Sequence, residues 1–492
     1  MTGLVSCLFI LAQTFITLDQ ALEIALSQNV AVKVADKEIE RSEYAKRGTY
    51  ASLFPKIDGS AAFQRTIEKQ VMYMDFDMSS IMGGGSGSEG TGSGSGTGTG
   101  SGSEGTGSGS STGTGSGSEG TGTGTGSGSG SGSGMSKADG MEVGRWNTFS
   151  AGVTASMPIV NLQLWESMKI SGQDVELAVE KARSSRLDMV SQVKNAFYAV
   201  LLAKQAHEVY KDVYDNAVAN YERTQMKYEA QKASDLDLAR AATTLANAVP
   251  NMYDSANSIA LALWQLKAVM GVDLEEDIDV AGSLYDYADD MTALYAEEEL
   301  DLENNTTMKQ LSIQAEQLAS NIKMQKYSAL PTLALSFSYN YSAMANDFEF
   351  SQYKWTPYSY VALSLNIPIF AGGKRYNTIK AAQVQSDELA LQKKDTERQL
   401  KIALKQSVNT MATALRSFDA ADKALEAAQK AYDITEESYA VGSSTLTDLN
   451  DAQLALVQSK MTAAQSIYSY LTAKTSLEQT LGIDYTTEEN NE

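Results

Sequence analysis

Residues 332–342 read Thr332-Leu333-Ala334-Leu335-Ser336-Phe337-Ser338-Tyr339-Asn340-Tyr341-Ser342. Odd positions are apolar or aromatic, and even positions are small and uncharged. A period of two sustained over this length puts the two sets on opposite faces of a strand. A charge-free polar face opposite an apolar one suits a barrel wall between lipid and water. Three more strands follow from similar patterns. Phe149, Ala151, Val153, Ala155 and Met157 alternate with Thr148, Ser150, Gly152, Thr154 and Ser156. Val361, Leu363, Leu365 and Ile367 alternate with Ala362, Ser364 and Asn366, and a less regular strand covers Ile57 to about Tyr73. Trp146, Trp355, Tyr358 and Tyr73 fall at the strand ends away from the helices, where an interfacial aromatic girdle belongs.

Helices fill the space between strands. The first covers about Leu18–Ala51, with Thr17 or Asp19 near its cap and Pro55 beyond its end. A longer one runs from about Leu162 to Lys232 with no Pro and one Gly, Gly172. The next runs from Ser234 to Met270, stops at Gly271 and should kink at Pro250. The order recurs at about Leu300–Ala329, Arg375–Ala440 and Thr445–Leu481. A helix of about 68 residues spans roughly 100 Å, and helices of about 33 and 36 residues stacked end to end span the same distance. Each half of the chain can therefore build two parallel rods of equal length.

The halves are copies. At an offset of 276, Asn29 falls on Asn305, Lys33 on Lys309 and Pro55 on Pro331. At 211, Tyr221 falls on Tyr432, Tyr228 on Tyr439, Asp237 on Asp448 and Gly271 on Gly482. The difference, 276 − 211, places about 65 extra residues in the first half. That is where the Gly/Ser/Thr tract Gly83–Gly134 lies, within an expected loop at about 75–145. A tract without apolar side chains cannot offset its ordering entropy and is expected to be disordered. The predicted division is a leader at 1–12, a first repeat at 13–295, a second at 296–484 and an acidic tail at 485–492.

Composition narrows the function. Sixty-one acids against 39 bases leave a net charge of −22, which argues against binding nucleic acid. One Cys, Cys7, rules out a disulfide framework, and one His, His207, argues against His-based catalysis or metal binding. No Ser/His/Asp set, phosphate loop or metal spacing appears, so no enzyme, cofactor or metal is expected. Leu4–Ala12 reads as a secretory leader; Leu4-Val5-Ser6-Cys7 also matches a lipoprotein box. Four strands cannot close, and lipid does not tolerate open edges. Two chains would give eight strands with a filled interior, whereas three give twelve and a lumen.

Several short motifs, in order and duplicated, make the chain resemble the TolC-type outer-membrane efflux proteins. They are Leu18-Asp19-Gln20-Ala21-Leu22-x-x-Ala25-Leu26-x-x-Asn29, Leu53-Phe54-Pro55, Ala329-Leu330-Pro331, Met157-Pro158-Ile159, Ile367-Pro368-Ile369-Phe370-x-Gly372-Gly373 and Tyr439-x-Val441-Gly442-x-x-Thr445-x-x-Asp448-Leu449-x-x-Ala452. The resemblance implies a mainly α fold with a β-barrel part: four transmembrane strands per chain, a twelve-stranded barrel in the homotrimer and a long periplasmic α-helical barrel. It also implies a duct in outer-membrane lipid, a periplasmic adaptor docked on its tip and an inner-membrane pump. By position in the motif, Val441, Gly442, Ser443, Ser444 and Thr445 would contact the adaptor. Asp448 and Asp451 would ring the closed pore, and Tyr439 would hydrogen-bond Asp237 of a neighbouring hairpin to hold the tip shut. Two departures are visible: Gln231 stands where the first hairpin would carry Gly, and Ser444 where a second link would carry Arg. The competing reading is a cell-surface or periplasmic coiled-coil structural protein or adhesin, which would conduct no ions.

Overall fold

The computed structural model describes residues 14–72, 141–292 and 301–485. The expected leader with Cys7, the Gly/Ser/Thr tract, Tyr73 and the acidic tail beyond Tyr485 lie outside these residues. The chain forms two compact units: one of Met1–Lys56, Ala155–Ser336 and Val361–Glu492, the other of Ile57–Thr154 and Phe337–Tyr360.

Seven helices are described in the first unit: α1 (Leu18–Gln28), α2 (Val30–Ala51), α3 (Leu162–Glu229), α4 (Asp235–Met270), α5 (Thr306–Tyr327), α6 (Lys374–Val441) and α7 (Leu446–Leu481). The duplication extends to length. Helices α3 and α6 each have 68 residues, α4 and α7 each have 36, and α2 and α5 each have 22. Pro250 lies inside α4 without ending it.

The first predicted helix is in fact two. Asn29 adopts extended backbone (φ −61°, ψ 135°) between α1 and α2, where its side chain does two jobs. Its Oδ1 accepts the N–H of Ala31 at 2.6 Å, and its Nδ2 donates to the carbonyl of Val269 at 2.6 Å, in the last turn of α4. In the second half, Asn305 Oδ1 accepts from Met308 N–H at 3.0 Å while its Nδ2 donates to Thr480 O at 2.7 Å. Positions 269 and 480 differ by 211, and positions 29 and 305 by 276, so this joint is built twice. In each, the C-terminal end of a long helix meets the N-terminal end of a short one. An amide side chain satisfies orphan groups of both, and the helix dipoles run head to tail.

The second-half helix expected from Leu300 starts only at Thr306, after the Asn305 cap. The stacks are consequently shorter than predicted. Twenty-two plus 36 residues span about 87 Å, against about 102 Å for α3. Helix α1 instead packs on α3 and α4 beside the joint. There Leu22, Phe197, Leu201, Leu266, Met270 and Tyr470 are fully or almost fully buried, each contributing about 1.5–3 kcal/mol of transfer free energy. A short parallel pair missed by the sequence reading, β1 (Thr14–Ile16) against β6 (Ile278–Val280), completes this core.

Strands β2 (Lys56–Arg65), β5 (Asn147–Val160), β7 (Thr332–Ala345) and β8 (Thr356–Asn366) form one sheet in the order β2-β5-β7-β8. The predicted strand to Tyr73 divides into β2 and the short β3 (Gln70–Met72), which pairs antiparallel with β4 (Met141–Val143). In β7 the alternation is inverted relative to a water-soluble protein, whereas β2 is exposed throughout and β8 almost throughout. Along β7, Leu335, Phe337, Tyr339 and Tyr341 are 38–46% exposed, while Ser338 is 3% exposed. Thr154 Oγ1 and Ser338 Oγ lie 3.2 Å apart, and a Cβ on Gly152 would strike Asn340 Oδ1 at 2.0 Å. The small polar residues thus crowd one face, and the apolar row is left uncovered.

Among the described residues no helix is long and apolar enough to cross a membrane, and no group of His, Cys, Asp or Glu could hold a metal ion.

Candidate functional site at the hairpin tips

Helices α3 and α4 form one hairpin and α6 and α7 a second, and their turns are built alike. The N–H of Lys232 donates to Lys227 O at 2.7 Å, and 211 residues later Ser443 N–H donates to Ser438 O at 2.8 Å. A residue in the left-handed region precedes each: Gln231 (φ 59°) and Gly442 (φ 85°). These are helix stops of the same geometry. The second spends a glycine on it and the first forces a glutamine into it, at a cost of about 1–2 kcal/mol.

Each following helix begins with a capping box. Ser234 Oγ donates to Asp237 Oδ2 at 2.7 Å, and its backbone N–H reaches the same oxygen at 3.3 Å. Asp237 N–H returns a bond to Ser234 Oγ at 3.1 Å. In the second tip, Thr445 Oγ1 and N–H donate to Asp448 Oδ2 at 2.6 and 2.9 Å, Ser444 Oγ adds a bond at 3.2 Å, and Asp448 N–H donates to Thr445 Oγ1 at 3.2 Å. The Thr445 hydroxyl, followed by its backbone N–H and Ser444, holds the Asp448 carboxyl below its ordinary value. Ser-x-x-Asp and Thr-x-x-Asp were the legible signals for these caps.

The structure treats the predicted residues unevenly. Asp448 and Asp451 are both exposed, one turn apart on α7. At Asp451's equivalent in the first hairpin stands Arg240; that hairpin carries Asp235 and Asp237 in its first turn, so only the second has the i,i+3 pair of acids. Val441 is 82% exposed, and Gly442, Ser443 and Thr445 are exposed beside it. Tyr439 and Asp237, expected to bond to each other, have other partners. Tyr439 is buried, with its hydroxyl 2.9 Å from Thr224 Oγ1 on α3. Asp237 instead uses its Oδ2 to cap α4.

Lys227 completes the contact unanticipated from sequence. Its Nζ donates to Tyr439 O at 3.0 Å and lies 4.5 Å from the centre of the Tyr439 ring, a cation–π geometry. Arg223 and Glu436 add an ion pair at 3.9 Å between α3 and α6. Below them sits a small core of Ala241, Tyr432, Leu446, Leu449 and Leu456, whose burial raises the Tyr432 phenol to about 12. Tyr228, the repeat counterpart of Tyr439, points outward instead, and its bond to Asp235 raises its own phenol.

Duplicated long hairpins with capped tips, and a sheet whose β7 leaves its apolar row exposed, fit a membrane channel class of protein. A sequence profile of the outer membrane efflux protein family matches residues 121–272 and 299–483, and the chain belongs to that family. Over 352 residues it is 22% identical to outer membrane protein TolC of Escherichia coli, covering 68% of this chain and 70% of that one. TolC of Vibrio cholerae is 20% identical over 344 residues, covering 68% and 76%. Among solved structures, the CmeC outer membrane channel of Campylobacter jejuni superposes with a TM-score of 0.67 at 16% identity, over 94% of this chain and 85% of that chain. VceC of Vibrio cholerae gives 0.67 at 13% identity, over 94% and 96%. The protein is thus an outer-membrane efflux protein with a periplasmic helical extension.

Proposed function

We propose that the chain is the exit duct of a tripartite efflux or secretion system, passing cargo from a periplasmic adaptor and an inner-membrane pump to the cell exterior. The observation that carries this reading is the uncovered apolar row of the sheet. Left in water, four such strands would be an aggregation surface with two open edges. In lipid the row is satisfied, and three chains supply the twelve strands that close the edges around a lumen. The two repeats, 13–295 and 296–484, then each contribute two strands and one hairpin.

In this reading the exposed tip from Val441 to Thr445 meets the adaptor. Asp448 and Asp451 from three chains place six carboxylates at the constriction, where they favour cations. The closed tip is held by Tyr439 against Thr224 and Lys227, with Asp237 acting as a cap. The test is the mass of the detergent-extracted protein together with its conductance in planar bilayers. A trimer that conducts is expected. A monomer or dimer in mild detergent, or a trimer that conducts nothing, would return the chain to a structural coiled-coil role.

A further inference from the structure

Helix α3 packs on α2, α4, α5 and α7, whereas α6, its repeat counterpart, packs on α5 and α7. Where α3 meets the second joint, the seam is closed. Arg183 Nη1 donates to Asn304 O at 3.1 Å, its Nη2 to Gly482 O at 2.7 Å and its Nε to Asp484 Oδ1 at 2.9 Å. Thr306 hydroxyl donates to Ser184 Oγ at 3.2 Å, and Leu187 and Ser191 line a small cavity with Thr475. Gly482, Thr306, Thr475, Leu187 and Ser191 are all buried.

The duplication supplies both halves of a second such seam and leaves them apart. On the joint side, offsets of 211 and 276 turn Gly482, Asp484, Thr475 and Thr306 into Gly271, Asp273, Trp264 and Val30. On the helix side, 211 turns Arg183, Leu187 and Ser191 into Lys394, Arg398 and Ile402. That register holds along both helices, since Val193 and Leu404 are buried alike, as are Val200 and Met411. Every one of these seven counterparts is exposed, with Val30 at 69%, Ile402 at 59% and Trp264 at 51%. Apolar side chains left in water opposite a face already shaped to receive them mark an interaction surface. The charges also match. Lys394 and Asp273 make no ion pair among the described residues, and Asp273 leads the exposed acidic run Glu275-Glu276-Asp277.

We infer that the first joint is completed by a second copy of this chain. Lys394 on α6 of one copy sits beside Gly271 and Asp273 of the next, in the place that Arg183 takes beside Gly482 and Asp484. Ile402 then covers the next copy's Trp264. The two faces are different surfaces of one chain, so the contact is head-to-tail and is satisfied throughout only in a closed ring. The inference rests on the three-chain ring of the duct reading, and the test separates the two.

The full chain carries Cys7→Ser to remove the native thiol, together with Asp273→Cys and Lys394→Cys. It is extracted in mild detergent, its mass is measured, and it is treated with a short flexible bis-maleimide. A covalent trimer should appear on denaturing gels, and neither single cysteine variant should link. A trimer whose 273–394 pair does not link overturns the trans clamp alone. A linked product of monomer mass places the contact within one chain and overturns the clamp as well. A parent chain that is monomeric or dimeric overturns the duct reading and the clamp with it. Charge exchange gives a check free of cysteines. Asp273→Lys should make the trimer dissociate at lower concentrations of a denaturing detergent, and adding Lys394→Asp should restore its resistance. Unchanged dissociation in Asp273→Lys, or no recovery in the double variant, overturns the pairing.

Discussion

Glycines at equal φ are not equal in cost. Gly442 and Gly482 both end long helices in the left-handed region, at φ 85° and 72°. A Cβ at Gly442 meets nothing within 4 Å, whereas one at Gly482 would lie 2.2 Å from the carbonyl oxygen of Asn304. Gly442→Ala should therefore cost only the conformational penalty, about 1–2 kcal/mol. Gly482→Ala must also push apart the backbone at the Asn305 joint, and should lower the thermal midpoint of the helical signal by clearly more. Arg183 makes that joint harder to open, since its Nη2 donates to Gly482 O at 2.7 Å and its Nη1 to Asn304 O at 3.1 Å. Equal shifts for the two alanine variants would mean that the joint yields without resistance.

Asp448 supplies a pH test at the same scale. Its carboxyl lies lower in the folded chain than its ordinary value of 3.8, so the unfolded state binds the proton more readily. The stabilisation from this cap is complete above that ordinary value and is lost as pH falls through the lower folded value. Asp448→Asn should be less stable than the parent near neutrality, with the difference shrinking in denaturant melts below about pH 3.8. A difference that stays constant into acid would show that Thr445 and Ser444 do not hold the carboxylate.

At the scale of elements, length was far more legible than contact. The absence of Pro over some seventy residues, with Gly172 the single Gly in α3 and none in α6, gave both helices to within a few positions, because little else interrupts a helix. The break at Asn29 was missed because its cause is tertiary. An Asn inside an otherwise helical run is tolerable, and only the carbonyl of Val269, 240 residues away, makes capping there worthwhile. The β1–β6 pair escaped for a different reason, since three residues are too few to show a period. At the tips, Asp448 and Asp451 were legible from motif, but Lys227 was not. A lysine near a helix C-terminus is ordinarily explained by the helix dipole, and its use on the Tyr439 ring depends on how α6 lies against α3.

That contact predicts a division of effects. Tyr439→Phe removes the hydroxyl bonded to Thr224 and leaves the ring under Lys227. Lys227→Met removes both the cation and the donor to Tyr439 O. Either should raise closed-state leak in bilayer recordings while leaving cation selectivity unchanged, because neither touches Asp448 or Asp451, and Lys227→Met should leak more. If Asp237→Asn alone produced the leak and these two did not, Tyr439 would exchange Thr224 for Asp237 when chains assemble.

On the scale of the whole molecule, the two hairpins share lengths, joints and caps but differ where their tips carry charge. Asp237 and Arg240 in the first correspond to Asp448 and Asp451 in the second. The i,i+3 acid pair occurs in one copy only, the other carrying Asp235 and Asp237, so an assembly of three chains would gain six carboxylates from Asp448 and Asp451. Crowding should raise the affinity of Asp448 for protons, against the local bonds from Thr445 and Ser444 that favour its ionised form. Channel block by a trivalent cation, titrated with pH, weighs the two effects. In Asp451→Asn only three Asp448 carboxylates remain and crowding is halved. Block should then persist below the pH at which the parent loses it, though with weaker affinity near neutrality. Asp448→Asn with Asp451→Asn should abolish block without changing the trimer's mass. Block unchanged in the double variant would mean that these aspartates are solvated helix starts and that the constriction is formed by other residues.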